Sequence, residues 1–268
     1  MKVDLRGQHD VGQIVGFAYR IYARSFAALF AIALVTVPLE LLTNVLQRRV
    51  PDGAQSAVSL LAVPAALVTL IAVAALIVAV HDITGGTKPE AARSLDVAIA
   101  RFPGVITTAL LVAVLAVAAL AAVPFLTLWW VFRRDATIDG QRNWWLVLIP
   151  GALTVYLSVR WVLSTQVLML EGPERWAAMD GSADAVRGSW WRTLGILIVI
   201  VLVQLGPLVI ASAGAYAPVL IGATITSVIG AFVLPFAVAA QTLLYYDLKA
   251  RRHDIRPDRF AAPEQDPG

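Results

Sequence analysis

The chain reads as an all-α protein that crosses a membrane six times, as three helical hairpins each preceded by an amphipathic interfacial helix. Three observations carry that expectation. Hydrophobic residues make up 59% of the 268 positions and charged residues only 15%, whereas soluble domains run near a quarter charged. Mean hydropathy is +0.76. The apolar residues gather into six runs, each long enough for a helix to cross a hydrocarbon core about 30 Å thick. A single membrane domain over residues 1–248 and a charged, proline-containing cytoplasmic tail over 249–268 are the expected organisation.

Near the N-terminus, Val11, Ile14, Val15, Ala18, Tyr22 and Phe26 recur at helical spacing, with Gln13, Arg20 and Arg24 on another face. This pattern predicts a helix lying at the membrane surface. The first span is expected over 25–46, the turn chemistry of QRRVPDGAQS breaks it, and the second span follows over 57–80. The first run is too long for a signal-peptide core and is expected to stay as an anchor. A second surface segment sets Ala91, Leu95, Ile99 and Phe102 against Glu90, Arg93 and Asp96. The third span (103–132) and fourth (143–170) flank the polar loop RRDATIDGQR, and Trp129, Trp130, Trp144 and Trp145 form the expected interfacial belt.

A third surface segment places Trp176, Met179, Ala183, Val186 and Trp190 on one side and Glu174, Asp180, Asp184 and Arg187 on the other. The fifth span (194–210) and sixth (219–246) surround the short loop ASAGAYAP. The unit therefore repeats three times, and the second span of each copy ends on an acid: Asp82, Glu171 and Asp247. Every span holds a proline, namely Pro38, Pro64, Pro124, Pro150, Pro207 and Pro235, so kinks are expected. Gly222, Thr226 and Gly230 share one face of the sixth span and allow close helix approach.

Charge sets the expected topology. The N-terminal region, the two long segments between hairpins and the tail hold 15 of the 21 Lys and Arg residues, so both termini are expected in the cytoplasm. Arg160 is the basic residue deepest in apolar sequence. Counted back from Leu170 at 1.5 Å per residue, it lies roughly 15 Å from the cytoplasmic boundary. Glu40 is the one acid deep inside a run, and Gln204 is expected at Arg160's level. An unpaired Arg at that depth is costly, so an Arg160–Glu40 pair assisted by Gln204 is expected, either as a structural clamp or as the basis of an anion site. Arg251, Arg252, Arg256 and Arg259, beyond the last span, are candidate contacts for anionic headgroups.

The same residues argue against several classes of function. With no cysteine there is no thiolate chemistry or disulfide, and His9, His81 and His253 have no partner at metal-binding helix spacing. The adjacent His81 and Asp82 sit at a span exit, where polar residues mark a helix end. Gly85-Gly86 lacks the lysine and serine of a P-loop. The basic residues lie at helix ends rather than along a polar face, so nucleic acid is not an expected partner, and no cofactor or metal is expected.

The run VRWVLSTQVLMLEGPERWAAMDGSADAVRGSWWRTLGI, Val159 to Ile196, and the ending TLLYYDLKARR, Thr242 to Arg252, resemble the bacterial membrane domain named after glycerophosphoryl diester phosphodiesterase. The resemblance implies a six-span helical domain in a bacterial cytoplasmic membrane, in its free-standing form. It does not extend to the phosphodiesterase barrel, whose paired histidines and metal-binding carboxylates have no counterpart here. The expected function is accordingly non-enzymatic, a membrane protein that binds lipid or a protein partner at its cytoplasmic face. The alternative is a transporter or channel subunit with a buried site around Arg160.

Overall fold

A computed structural model describes residues 10–50, 60–134, 145–172 and 176–251, with 119–134, 145–150, 208, 213 and 215 described by their backbone alone. About 90% of it is helical, with no strand among the described residues. A helix is how a continuous apolar run satisfies its own backbone donors and acceptors. The helices are α1 (Val11–Arg24), α2 (Phe26–Ala33), α3 (Val37–Arg49), α4 (Ala62–Gly85), α5 (Ala91–Ala100), α6 (Phe102–Arg134) and α7 (Trp145–Trp161), followed by α8 (Ser164–Glu171), α9 (Trp176–Val186), α10 (Trp190–Ala213) and α11 (Val219–Arg251). Five stretches are long and apolar enough to cross a membrane: Phe26–Arg49, Ala62–Gly85, Gly151–Glu171, Trp190–Ser212 and Val219–Arg251. A sixth is added if α5 and the first part of α6, bent by 65°, form one span. The side chains of Trp129, Trp130, Trp144 and Trp145 lie outside the described residues.

Two of the runs expected to be continuous are broken. In the first, a 3-10 turn over Leu34–Thr36 separates α2 from α3, and Pro38 sits in the first turn of α3. A proline there has no N–H to offer the preceding turn, so the tighter turn and the restart follow from it. In the fourth run, α7 ends at Trp161 and α8 begins at Ser164. Here the cause is a side chain from elsewhere. Ser182 of α9, fully buried, donates from Oγ to the Arg160 carbonyl at 2.8 Å and accepts from the Leu163 N–H at 3.2 Å. Its hydroxyl thus replaces bonds the helix would have made to itself.

The last helix is the post around which the others stand. It packs against α1, α2, α3, α4, α9 and α10, and almost every residue from Pro235 to Leu248 is buried. Alanines make the close approach possible: Ala72, Ala74, Ala75 and Ala79 on α4, and Ala237, Ala239 and Ala240 on α11, are buried. Leu76, Ile77, Leu244 and Tyr245 fill the space between. On the other side α1 buries Ile14, Ala18, Ile21 and Tyr22 and packs along α11. Tyr22 donates to the Phe232 carbonyl at 2.9 Å, and its ring meets Phe26 and Phe232 edge-on at 5.3 and 5.6 Å. Burial pushes the Tyr22 phenol up to about 12, so it remains a donor.

Helices α4 and α8 both close on glycine. Gly86 and Gly172 have φ of 88° and 87°, a left-handed conformation that a side chain disfavours. After α4 the turn is sealed by the Thr87 N–H and hydroxyl, both donating to the Asp82 carbonyl at 2.9 and 2.7 Å. These stops leave Asp82 and Glu171 in the final turns of their helices, where they meet the end of α11.

Candidate functional site

Three consecutive residues of α11, Tyr245, Tyr246 and Asp247, lie about 100° apart around the helix axis. They therefore reach three different neighbours. Tyr245 donates its hydroxyl to Glu171 at the end of α8. Tyr246 shares a hydrogen bond with His81 Nδ1 of α4 at 2.6 Å. Asp247, its side chain only 1% exposed, accepts from Arg192 Nη2 of α10 at 3.2 Å and from Arg251 Nε at 2.9 Å. Around them Lys249 Nζ pairs with Glu171 at 2.6 Å and Arg93 with Asp82 at 3.9 Å. Arg101 Nη1 donates to the Met169 carbonyl at 2.6 Å, and Gln166 donates to Gln241 at 3.2 Å. All three acids at the ends of the expected second spans are thus neutralised by a cation from another element or from the next turn. Glu171 and Asp247 are met at close range, whereas Asp82 Oδ2 is buried without a hydrogen bond, so the chemistry at Glu171 and Asp247 is that of a clamp.

A second polar feature is not so closed. Tyr156 and Arg160 of α7, Ala183 and Val186 of α9, and Arg187, Gly188 and Trp190 just beyond line a cavity of about 250 Å³. The Arg160 carbonyl is held by Ser182, but among the described residues its half-buried guanidinium has no hydrogen bond or ion pair. Arg187 is bound to Asp184 at 2.7 Å. The Trp190 N–H donates to the Tyr156 carbonyl at 3.3 Å, and the two rings lie 5.8 Å apart, making an aromatic wall. Gly188 supplies the turn between α9 and α10 with a φ of 81°. Among the described residues no group of three or more His, Asp or Glu side chains gathers as a metal would require.

A family model described as Domain of unknown function (DUF8558) matches residues 67–256. The chain belongs to that family. No curated protein and no solved structure matches it. The stretch matched by DUF8558 takes in most of α4 and everything through α11, hence the whole acid network and the cavity at Arg160. It leaves α1, α2 and α3 outside.

Within this DUF8558 chain the residues singled out in the sequence fall in different places. Arg160 and Glu40 are not brought together. Among the described residues no ion pair joins them, and the Glu40 carboxylate instead lies against Gly230 of α11. The expectation of a pair treated the fourth run as one straight helix. Beside the break at Val162 and Leu163, Arg160 instead lines the cavity with α9 and the start of α10. Gln204 is half-buried and makes no hydrogen bond to either residue; the glutamines that join are Gln166 and Gln241. Arg251 is engaged by Asp247, while Arg252, Arg256 and Arg259 lie outside the described residues. His81 and Asp82 are held by Tyr246 and Arg93 respectively. Sequence reasoning missed Ser182 and Arg187 as neighbours of Arg160. Their signal was weak, because a serine on a surface segment usually faces water.

Proposed function

We propose that this chain is an integral membrane protein whose cavity at Arg160 binds the phosphate of an anionic lipid headgroup. One observation carries the reading: the Arg160 guanidinium stands without a protein partner in a cavity that also holds Arg187. Arg187 is exposed and already paired with Asp184, so the charge left to be met is that of Arg160, whose desolvation an anion in the cavity offsets. The aromatic wall of Trp190 and Tyr156 suits headgroup depth, where such rings concentrate. In this reading α1, α5 and α9 lie at the cytoplasmic headgroup level beside three helical hairpins, and both termini face the cytoplasm. The likeness of 159–252 to the bacterial membrane domain named after glycerophosphoryl diester phosphodiesterase supports a bacterial cytoplasmic membrane as the setting. It supports no phosphodiesterase chemistry.

The test is native mass spectrometry of the purified chain with phosphatidylglycerol, phosphatidylcholine or inorganic phosphate. Phosphatidylglycerol is expected to be retained over phosphatidylcholine, and Arg160→Gln to weaken that retention about tenfold, the value of one charge-assisted hydrogen bond. Retention of inorganic phosphate alone identifies a soluble anion as the ligand instead. Equal retention of both lipids, or an unchanged Arg160→Gln variant, overturns the reading. A transporter is the second reading, supported by the two broken runs, since discontinuous helices are how many transporters build their sites. Solute flux in proteoliposomes would favour it. For topology, single cysteines at Ser56 and Thr137 are expected to react with an impermeant thiol reagent in intact cells, and those at Thr87 and Gly181 to stay unlabelled.

A further inference from the structure

Helix α3 carries Glu40, Asn44 and Arg48 at intervals of four, and this line of polar residues faces α11. Opposite it α11 presents Gly222, Ser227 and Gly230. Asn44 Nδ2 donates to Ser227 Oγ at 3.1 Å, and Arg48 Nη1 donates to the Gly214 carbonyl at 3.0 Å, where the turn between α10 and α11 ends the seam. At the other end the Glu40 carboxylate lies close beside Gly230, so that a Cβ built there would stand 3.4 Å from Oε2. The seam is therefore polar from Arg48, which is exposed, inward to a half-buried carboxyl.

That carboxyl has no cation to meet it. Among the described residues no ion pair includes Glu40. The elements packed against α3 bring none either: α4 from Ala62 to Val80, the turn Leu34–Thr36, and α11 from Val219 to Leu244 contain no titratable side chain. On its own helix Arg48 lies two turns away and is committed to Gly214. The polar side chain that acts on the carboxyl is Thr36, at the break between α2 and α3. Its hydroxyl already donates to the Ala33 carbonyl at 2.9 Å. A hydroxyl brings no charge, so Thr36 does not replace the missing cation.

We propose that Glu40 is a proton-binding carboxyl, loaded and unloaded along the seam between α3 and α11 that opens at Arg48. This rests on the membrane-spanning reading: in a soluble protein a half-exposed glutamate would meet water and ionise. An intramembrane carboxylate without a counter-ion is retained where it carries a proton or an ion. Nothing in the Arg160 cavity enters the argument, and the two sites stand or fall separately.

A hydrophobic carbodiimide, which reacts with protonated carboxyls in apolar surroundings, provides the test on the full chain in membranes. Peptide mass spectrometry is expected to find the adduct on Glu40 and to lose it in Glu40→Gln. The labelling rate should fall about tenfold per pH unit above the midpoint, as the protonated fraction does. No adduct on Glu40 at any pH, or a rate independent of pH, overturns the proposal. Failure of the membrane-spanning reading looks different, because the chain would then be released from membranes by carbonate washing.

Discussion

Replacing Asp247 with Ala tests whether the end of α11 is a clamp. The carboxylate is 1% exposed and satisfies two guanidinium groups, Arg192 at 3.2 Å and Arg251 at 2.9 Å. Removing one member of a buried ion pair costs about 3–5 kcal/mol, since the charges left behind have lost water and partner together. Here the arginines are 25% and 22% exposed, so they regain part of their hydration. The loss should therefore fall near the lower end, about 3 kcal/mol. Lys249→Ala supplies the contrast. Its pair with Glu171 has side chains 23% and 29% exposed, and breaking a pair open to water on both sides costs about 1 kcal/mol. Reversible unfolding by sodium dodecyl sulfate in mixed micelles, followed by tryptophan fluorescence, measures both. Asp247→Asn, which keeps an acceptor but loses the charge, should fall between them. If Asp247→Ala costs no more than Lys249→Ala, the buried carboxylate is not what holds α10 to α11.

Other substitutions test the packing of α11. A Cβ on Gly222 would overlap the Gly214 carbonyl and the Arg48 guanidinium. Gly222→Ala is therefore expected to destabilise by about 1–3 kcal/mol in the same titration. Gly12→Ala, where a Cβ meets nothing within 4 Å, should instead stabilise by about 0.5–1 kcal/mol; equal effects would contradict the close approach. Tyr22→Phe removes the donor to Phe232 and should cost about 1 kcal/mol at neutral pH. Because the folded phenol titrates near 12 and the unfolded one near 10, the folded state holds its proton longer. The advantage of wild type over Tyr22→Phe is then full below pH 10 and lost as pH rises toward 12. A difference that widens above pH 10 would refute this account of Tyr22.

What the sequence determines by itself is where helices form. An apolar run has one economical way to pair its own backbone, so long stretches such as Ala62–Gly85 and Val219–Arg251 were legible from composition and length. The recurrence of Asp82, Glu171 and Asp247 at the ends of expected spans was equally local, whereas the stops at Gly86 and Gly172 emerged with the structure. The breaks were not all legible. Pro38 announces the one before α3, whereas nothing in VRWVLST shows that a serine nineteen positions beyond Leu163 will insert its hydroxyl there. Pairing was decided by the tertiary structure alone. The sequence puts Arg160 and Glu40 among apolar neighbours but carries no information about which way each faces once the helices pack, and in the fold Arg160 lines a cavity with Arg187. Helix formation depends on bonds between residues four apart, while partner choice depends on rotations accumulated over whole helices, and those are fixed only when α11 packs against the rest.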